Sequence, residues 1–220
     1  MEPKPVPVLI VGAGGAGLAL SLLLLQQGIQ PLLIERRSEV SWYPRTRNLN
    51  FRTLEIFRSL GLAEKIRDAG AHVSRIFSRV RLASSEENFI LDPVNLLDTR
   101  GLSPEPLAWY CPQSRLEPIL LAAARQRGAD VRYSTELAAF TQDADGVTAS
   151  LRDGSTGHPY KVRAQFLVAA DGAHSSVREN LRMAAPLHPG PARRQLRPPD
   201  GQRWRPLVPS GGASGNRPAG

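Results

Sequence analysis

The chain has 220 residues, with 28 Lys and Arg against 20 Asp and Glu for a formal charge of +8, enough for one α/β domain or a domain with an appendage. Residues 186–220 supply +5 of that charge through six Arg and one Asp, and without a basic helix or an aromatic-interleaved basic stripe the excess does not point to nucleic acid. Cys111 is the single cysteine, which excludes an intrachain disulfide and Cys-rich metal clusters and suits a reducing cytoplasm.

Residues 6 to 36 read as one nucleotide-binding unit. Val8 to Val11 is a short apolar run suited to a buried strand, and Gly12, Gly14 and Gly17 then fall in the G-x-G-x-x-G spacing. Gly12 allows the tight turn, Gly14 admits a pyrophosphate to the backbone, and Gly17 lets the following helix pack against the strand. Amides at the helix start, those of Gly15 and Ala16 among them, face the phosphate. The helix is expected from about Gly15 to Gln27, with Gly28 as its stop, and Pro31 to Ile34 as a second strand delivering Glu35. A carboxylate there accepts from an adenosine ribose and repels a 2′-phosphate, which favours FAD or NAD over NADP as the nucleotide held in this fold. The alternative is a βαβ unit without ligand. Residues 6 to 25 are apolar, but four glycines interrupt them and the flanking charge is poor for a leader, so no membrane span or signal peptide is expected.

Ser38 to Asn50 reads as a loop carrying Arg45 and Arg47. Phe51 to Leu60 reads as an amphipathic helix, and Ala63 to Ala69 as a further turn or two. Val73 to Leu82 and Phe89 to Leu91 have strand-like composition around a polar turn and could pair as a hairpin. Asp92 to Leu107, with three prolines, reads as an irregular crossing. A helix resumes near Ser114, with Ser114 and Glu117 arranged as a capping box and Gly128 as its end. Asp130 to Tyr133 is a strand. Glu136 to Thr141, Val147 to Arg152 and Tyr160 to Arg163 form a three-stranded meander. Phe166 to Ala170 is a separate, fully apolar strand, followed by A-D-G-A-H-S-S-V-R and a helix to about Arg182. From Pro186 onward, eight Pro, six Gly and six Arg leave too few large apolar side chains to offset chain entropy, so this tail is expected to be disordered. Its alternative is a proline-rich docking tail.

Together, the glycine-rich unit, P-R-T-R-N-L-N-F-R-T-L-E-I-F-R, Q-S-R-L-E and A-D-G-A-H-S-S-V-R resemble the single-component FAD-dependent aromatic hydroxylases of the para-hydroxybenzoate hydroxylase fold. The look is nearest to the bacterial aromatic-polyketide hydroxylases, and covers about residues 6 to 183. Asp171 to Arg178 matches the family's D-G-x-x-S-x-V-R at each specified position. The resemblance implies an α/β fold: a Rossmann-like FAD-binding sheet with a meander, residues 73–110 contributing to a β-rich substrate region, and the tail outside it. It implies bound FAD, NADPH or NADH as transient reductant, molecular oxygen, and an aromatic ring hydroxylated through a C4a-hydroperoxyflavin. It places Gly12, Gly14 and Gly17 on the pyrophosphate, Glu35 on the ribose, Arg36 beside the adenine, Arg47 (with Arg45 as backup) against the pyrophosphate, and Gln113 near the ribityl chain. Asp171, with Gly172, would touch the ribityl region and the passing nicotinamide.

The residues support part of this on their own. Asp171 follows an apolar strand and so emerges at the carboxyl end of a sheet, where ligands bind in such folds; it could equally cap the next helix. Arg178 reads as partner to a nearby acid, His174 as a surface residue, and Cys111 as a small buried one. Arg47 could be a solvated loop charge. The family continues well beyond its D-G-x-x-S-x-V-R, whereas this sequence turns to the Pro/Arg/Gly tail, as a truncated form or a shifted reading frame would. The expectation is therefore a hydroxylase of doubtful activity, with a non-catalytic nucleotide-binding remnant and a related flavin enzyme as alternatives. A halogenase would carry a G-W-x-W-x-I-P segment, and none occurs.

Overall fold

The computed structural model describes residues 5–43, 47–72, 76–78, 88–91, 101, 103–106 and 108–183. Within them β1 (Val6–Val11), α1 (Gly15–Gln26) and β2 (Pro31–Ile34) form the opening βαβ unit. β1 pairs in parallel with β2, and β2 with β8 (Asp130–Arg132). All four β2 residues are buried, which explains the unbroken apolar run P-L-L-I: a strand covered on both faces has no polar side to alternate with.

The six-stranded sheet runs β8-β2-β1-β11-β10-β9, where β9 is Thr135–Asp143, β10 Gly146–Asp153 and β11 Pro159–Ala169. β11 joins its two halves. Its first part is antiparallel to β10 (Leu151↔Tyr160, Val147↔Ala164), and its second is parallel to β1 (Val6↔Ala164, Val11↔Ala169). The expected split into a meander strand and a separate strand at Phe166 is thus corrected. The change from alternating to continuous apolar sequence marks a change of partner, not a break in the backbone. Phe166 is also 66% exposed, so this part is not buried on both faces.

One core lies between the sheet and the helices. Ile10 and Leu33 meet Leu18 and Leu22 of α1, with Leu54 and Phe57 of α2 (Phe51–Ser59) and Leu116, Leu120 and Ala124 of α4 (Gln113–Gln126). On the other face Leu9, Val11, Leu32 and Ile34 pack with Ala149, Leu151 and Ala164. Neighbouring strands β2, β1, β11 and β10 thus share one continuous apolar face.

The short elements depart most from expectation. Asn48–Asn50, expected as loop, is strand β3, paired with β7 (Ala108–Tyr110), which in turn pairs with β4 (Ala71–His72). Three residues are too few to show a period, and the partner lies far along the chain. Asn50 then caps α2, its Oδ1 accepting from the Thr53 N–H at 2.9 Å. α3 spans Ala63–Asp68, and β5 (Ile76–Ser78) pairs antiparallel with β6 (Asn88–Leu91), as the hairpin reading expected. The capping box does not form: α4 begins at Gln113, with Pro112 at the N-cap and no side-chain cap. α5 is short, Ser176–Asn180. Arg45 and the 186–220 tail lie outside the described residues. Among the described residues no helix is long and apolar enough to cross a membrane.

Candidate functional site

The site is assembled where β1, β2 and β11 end together. Gly12 has φ +105°, and a Cβ there would collide with the Ala170 carbonyl; its N–H donates to the Ile34 carbonyl at 2.8 Å. At Gly17 a Cβ would overlap the Gly12 carbonyl, so the missing side chain is what seats α1 on the strand end. Gly14 differs. Its backbone is extended (φ −78°, ψ −176°), open to any residue, and a Cβ would meet only Glu117 Oε1, at 3.5 Å. The protein itself leaves room there. α1 has no side-chain cap and no acid in its first turn, so its leading amides, including those of Gly15 and Ala16, are open to an anion.

Glu35 is only 6% exposed, so its carboxylate must be satisfied internally. Oε2 accepts from the Ala13 N–H at 2.9 Å, and Oε1 from the Arg37 N–H and Nε–H, each at 3.0 Å. Burial pushes the carboxyl pKa up, but the donors from Arg37 and Ala13 together hold it below the usual value. The pair also raises the Arg37 guanidinium. Sequence reasoning overlooked Arg37, and it matters: the repulsion of a 2′-phosphate expected from Glu35 is offset by a cation bonded to it.

Asp171 stands at the end of β11. Oδ2 accepts from the Val177 N–H at 3.3 Å and the Ser176 hydroxyl at 3.4 Å, while Oδ1 is buried without a hydrogen-bond partner among the described residues. One oxygen thus steadies the start of α5, and the other has unfilled acceptor capacity. The true N-cap is Ser175, whose Oγ accepts from the Arg178 N–H at 3.0 Å. Arg178 itself donates to the Ala173 carbonyl at 2.6 Å, which corrects the expectation of an acidic partner.

A cleft of about 700 Å³ joins these groups, and its wall includes Gly12, Gly14, Glu35, Arg36, Gln113, Asp171 and Gly172. Arg37 and His174 line it too. Gly15, Ala16, Gly17 and Arg47 do not. Gly15 and Ala16 start α1 directly after Gly14, and Gly17 is packed beneath, against the Gly12 carbonyl. Arg47 is exposed, and its carbonyl accepts from the Cys111 N–H at 2.7 Å. Cys111 is fully buried, which raises its thiol pKa and leaves it inert. No group of three or more His, Cys, Asp or Glu fit for a metal occurs among the described residues. An anion cradle, a buried acid at one end and an acceptor with spare capacity at the other suit a long dinucleotide carrying hydroxyls at both ends.

Comparison with known proteins shows the family of the chain. The FAD binding domain family matches residues 5–191. The chain is 37% identical over 181 residues to tetracenomycin B2 monooxygenase-dioxygenase of Streptomyces olivaceus, covering 75% of this chain and 33% of that protein. It is 42% identical over 170 residues to aklavinone 12-hydroxylase DnrF of Streptomyces peucetius, covering 72% and 34%. Among solved structures, the flavin-dependent monooxygenase PieE in complex with FAD and substrate matches with a TM-score of 0.77 at 33% identity, over 84% of this chain and 33% of that one. Aklavinone-11 hydroxylase with FAD and aklavinone matches with a TM-score of 0.72 at 37% identity, over 83% and 36%. The chain thus spans about a third of the length of these relatives.

Proposed function

The chain belongs to the FAD binding domain family, and on that premise we propose that it holds FAD along the cleft as the flavin-binding part of a monooxygenase that hydroxylates an aromatic, polyketide-type ring. The observation that carries this reading is Gly14: no protein atom demands glycine there, yet a side chain would fill the space beside the open amides of α1. A pyrophosphate is the group that needs that space.

The residues divide the ligand between them. The α1 amides and Gly14 receive the pyrophosphate, with Arg47 and Arg45 as the neighbouring cations. Glu35, held by Ala13 and Arg37, accepts from the adenosine ribose, and Arg36 lies beside the adenine. Gln113 and Asp171 Oδ1 accept from the ribityl hydroxyls, with Gly172 keeping the approach to Asp171 open. Bound FAD would supply the redox and oxygen-transfer chemistry, with NADPH or NADH as reductant and molecular oxygen as co-substrate. Residues 1–185 are the FAD-binding part, with 73–110 contributing to the substrate region, and 186–220 a separate tail. The aromatic substrate is proposed from the relatives' activities.

Titrating purified protein with FAD while following visible absorbance, then adding NADPH and recording oxygen uptake, tests the reading. A yellow protein that consumes oxygen on NADPH supports it. A protein that binds FAD without oxygen uptake limits it to a flavin-binding role, and one that takes up no flavin sinks it.

A further inference from the structure

We propose that Glu117 is a positioning residue: it locks the Gln113 amide so that the Gln113 carbonyl oxygen is the group offered to the cleft, where it selects a hydroxyl-bearing part of the ligand. Glu117 takes this role on the FAD reading above, whose polyol chain is such a part.

Glu117 is a fully buried acid on α4. A carboxylate so placed is costly unless its oxygens are filled by donors. Oε1 accepts from Gln113 Nε2 at 2.5 Å, one helical turn away, and Oε2 from the Ser41 N–H at 3.4 Å. The charge of Glu117 is also felt by the Arg37 guanidinium. An ionised carboxylate only accepts, so the Gln113 amide must turn its NH₂ toward it. That fixes the last torsion of Gln113 and leaves the carbonyl oxygen for the cleft that Gln113 lines. Without Glu117 the amide could present either end.

The same Oε1 lies 3.5 Å from where a Cβ on Gly14 would sit. The Glu117–Gln113 pair therefore borders the space above Gly14. Glu117 thus sets the hydrogen-bond polarity of one end of the cradle.

The test is a double-mutant cycle on FAD affinity, read by quenching of flavin fluorescence, with ADP binding by calorimetry as a report on the cradle alone. Glu117→Leu is expected to weaken FAD about tenfold, the loss of one oriented hydrogen bond, and to leave ADP unchanged. Glu117→Gln, whose amide oxygen still accepts, should stay within about threefold of the parent. In a Gln113→Ala background, Glu117→Leu should add nothing. Unchanged FAD affinity in Glu117→Leu overturns the proposal. So does an equal loss with Gln113 absent, or an equal loss for ADP, since each marks a merely structural role. Should the leucine variant not fold, Gln113→Asn, one methylene too short to keep the bond, carries the same expectation, and unchanged FAD affinity there overturns the proposal. A parent protein that binds no FAD removes the flavin reading and this role together; a parent that binds FAD but gives an additive cycle removes only the role of Glu117.

Discussion

Gly14 and Gly17 share a motif but fail differently when changed. A Cβ at Gly17 would drive into the Gly12 carbonyl, so Gly17→Ala should lose on the order of 2 kcal/mol or more of stability by moving α1 off the strand. Gly14→Val should leave thermal unfolding within about 0.5 kcal/mol of the parent yet abolish FAD retention. Parallel melting curves and flavin titrations check the contrast, and unchanged flavin occupancy in Gly14→Val would place the cofactor elsewhere. Glu35 gives a pH signature. Its folded pKa is depressed, so its contribution is complete above the unfolded value of about 4.3 and is lost as pH falls through the folded one. Glu35→Gln should therefore cost about 1–3 kcal/mol at neutral pH and flatten the acid limb of a Tm-against-pH curve. An unaltered acid limb would mean that other carboxylates set it. The glycine spacing and Glu35 were legible because each is a chemical requirement written in one residue type. Arg37 was not, since an arginine beside an acid looks the same in solvent as when bonded to it. Glu117 was misread as a capping residue because helical periodicity locates a face and says nothing of an acid buried on it.

Among the elements, α4 links packing to the site. Leu120 is fully buried in the core beneath α1 while Gln113 and Glu117 occupy the first turns. Leu120→Ala should destabilise by about 2–5 kcal/mol in denaturant unfolding, and losing less than about 1 kcal/mol would show the helix packs more loosely than the structure gives. α2 and the meander were readable because period and turn residues agree over many positions, and α1 and β2 because glycines bound their continuous apolar runs. β3, β4 and β7 were not: two- and three-residue strands exist only through partners distant in sequence. β11 was read as two pieces because its sequence changes character where it exchanges β10 for β1.

For the whole molecule, +5 of the +8 charge belongs to residues 186–220, and the FAD-binding family match begins at residue 5 and ends at 191. Deleting 186–220 should leave the melting temperature of the remainder within about 2 °C, the change expected when a segment too poor in apolar residues to build a core is removed. A larger fall would show that it packs. The family and its cofactor were legible because the cleft is built by short motifs at strand ends. A substrate pocket is not written in this way: it depends on side chains gathered from distant parts of a chain, and this one spans about a third of its relatives' length.

The central strand also imposes an order of events at the ribosome. β1 emerges first, pairs with β2 within one short unit, and then waits on its other flank until Ala164 to Ala169 have been made. At about 5–20 residues per second that interval is on the order of ten to thirty seconds. Throughout it an apolar, half-paired strand is available to a neighbouring nascent chain or a chaperone. The yield of folded protein should therefore depend on translation speed and chaperone supply more steeply than its final stability would suggest.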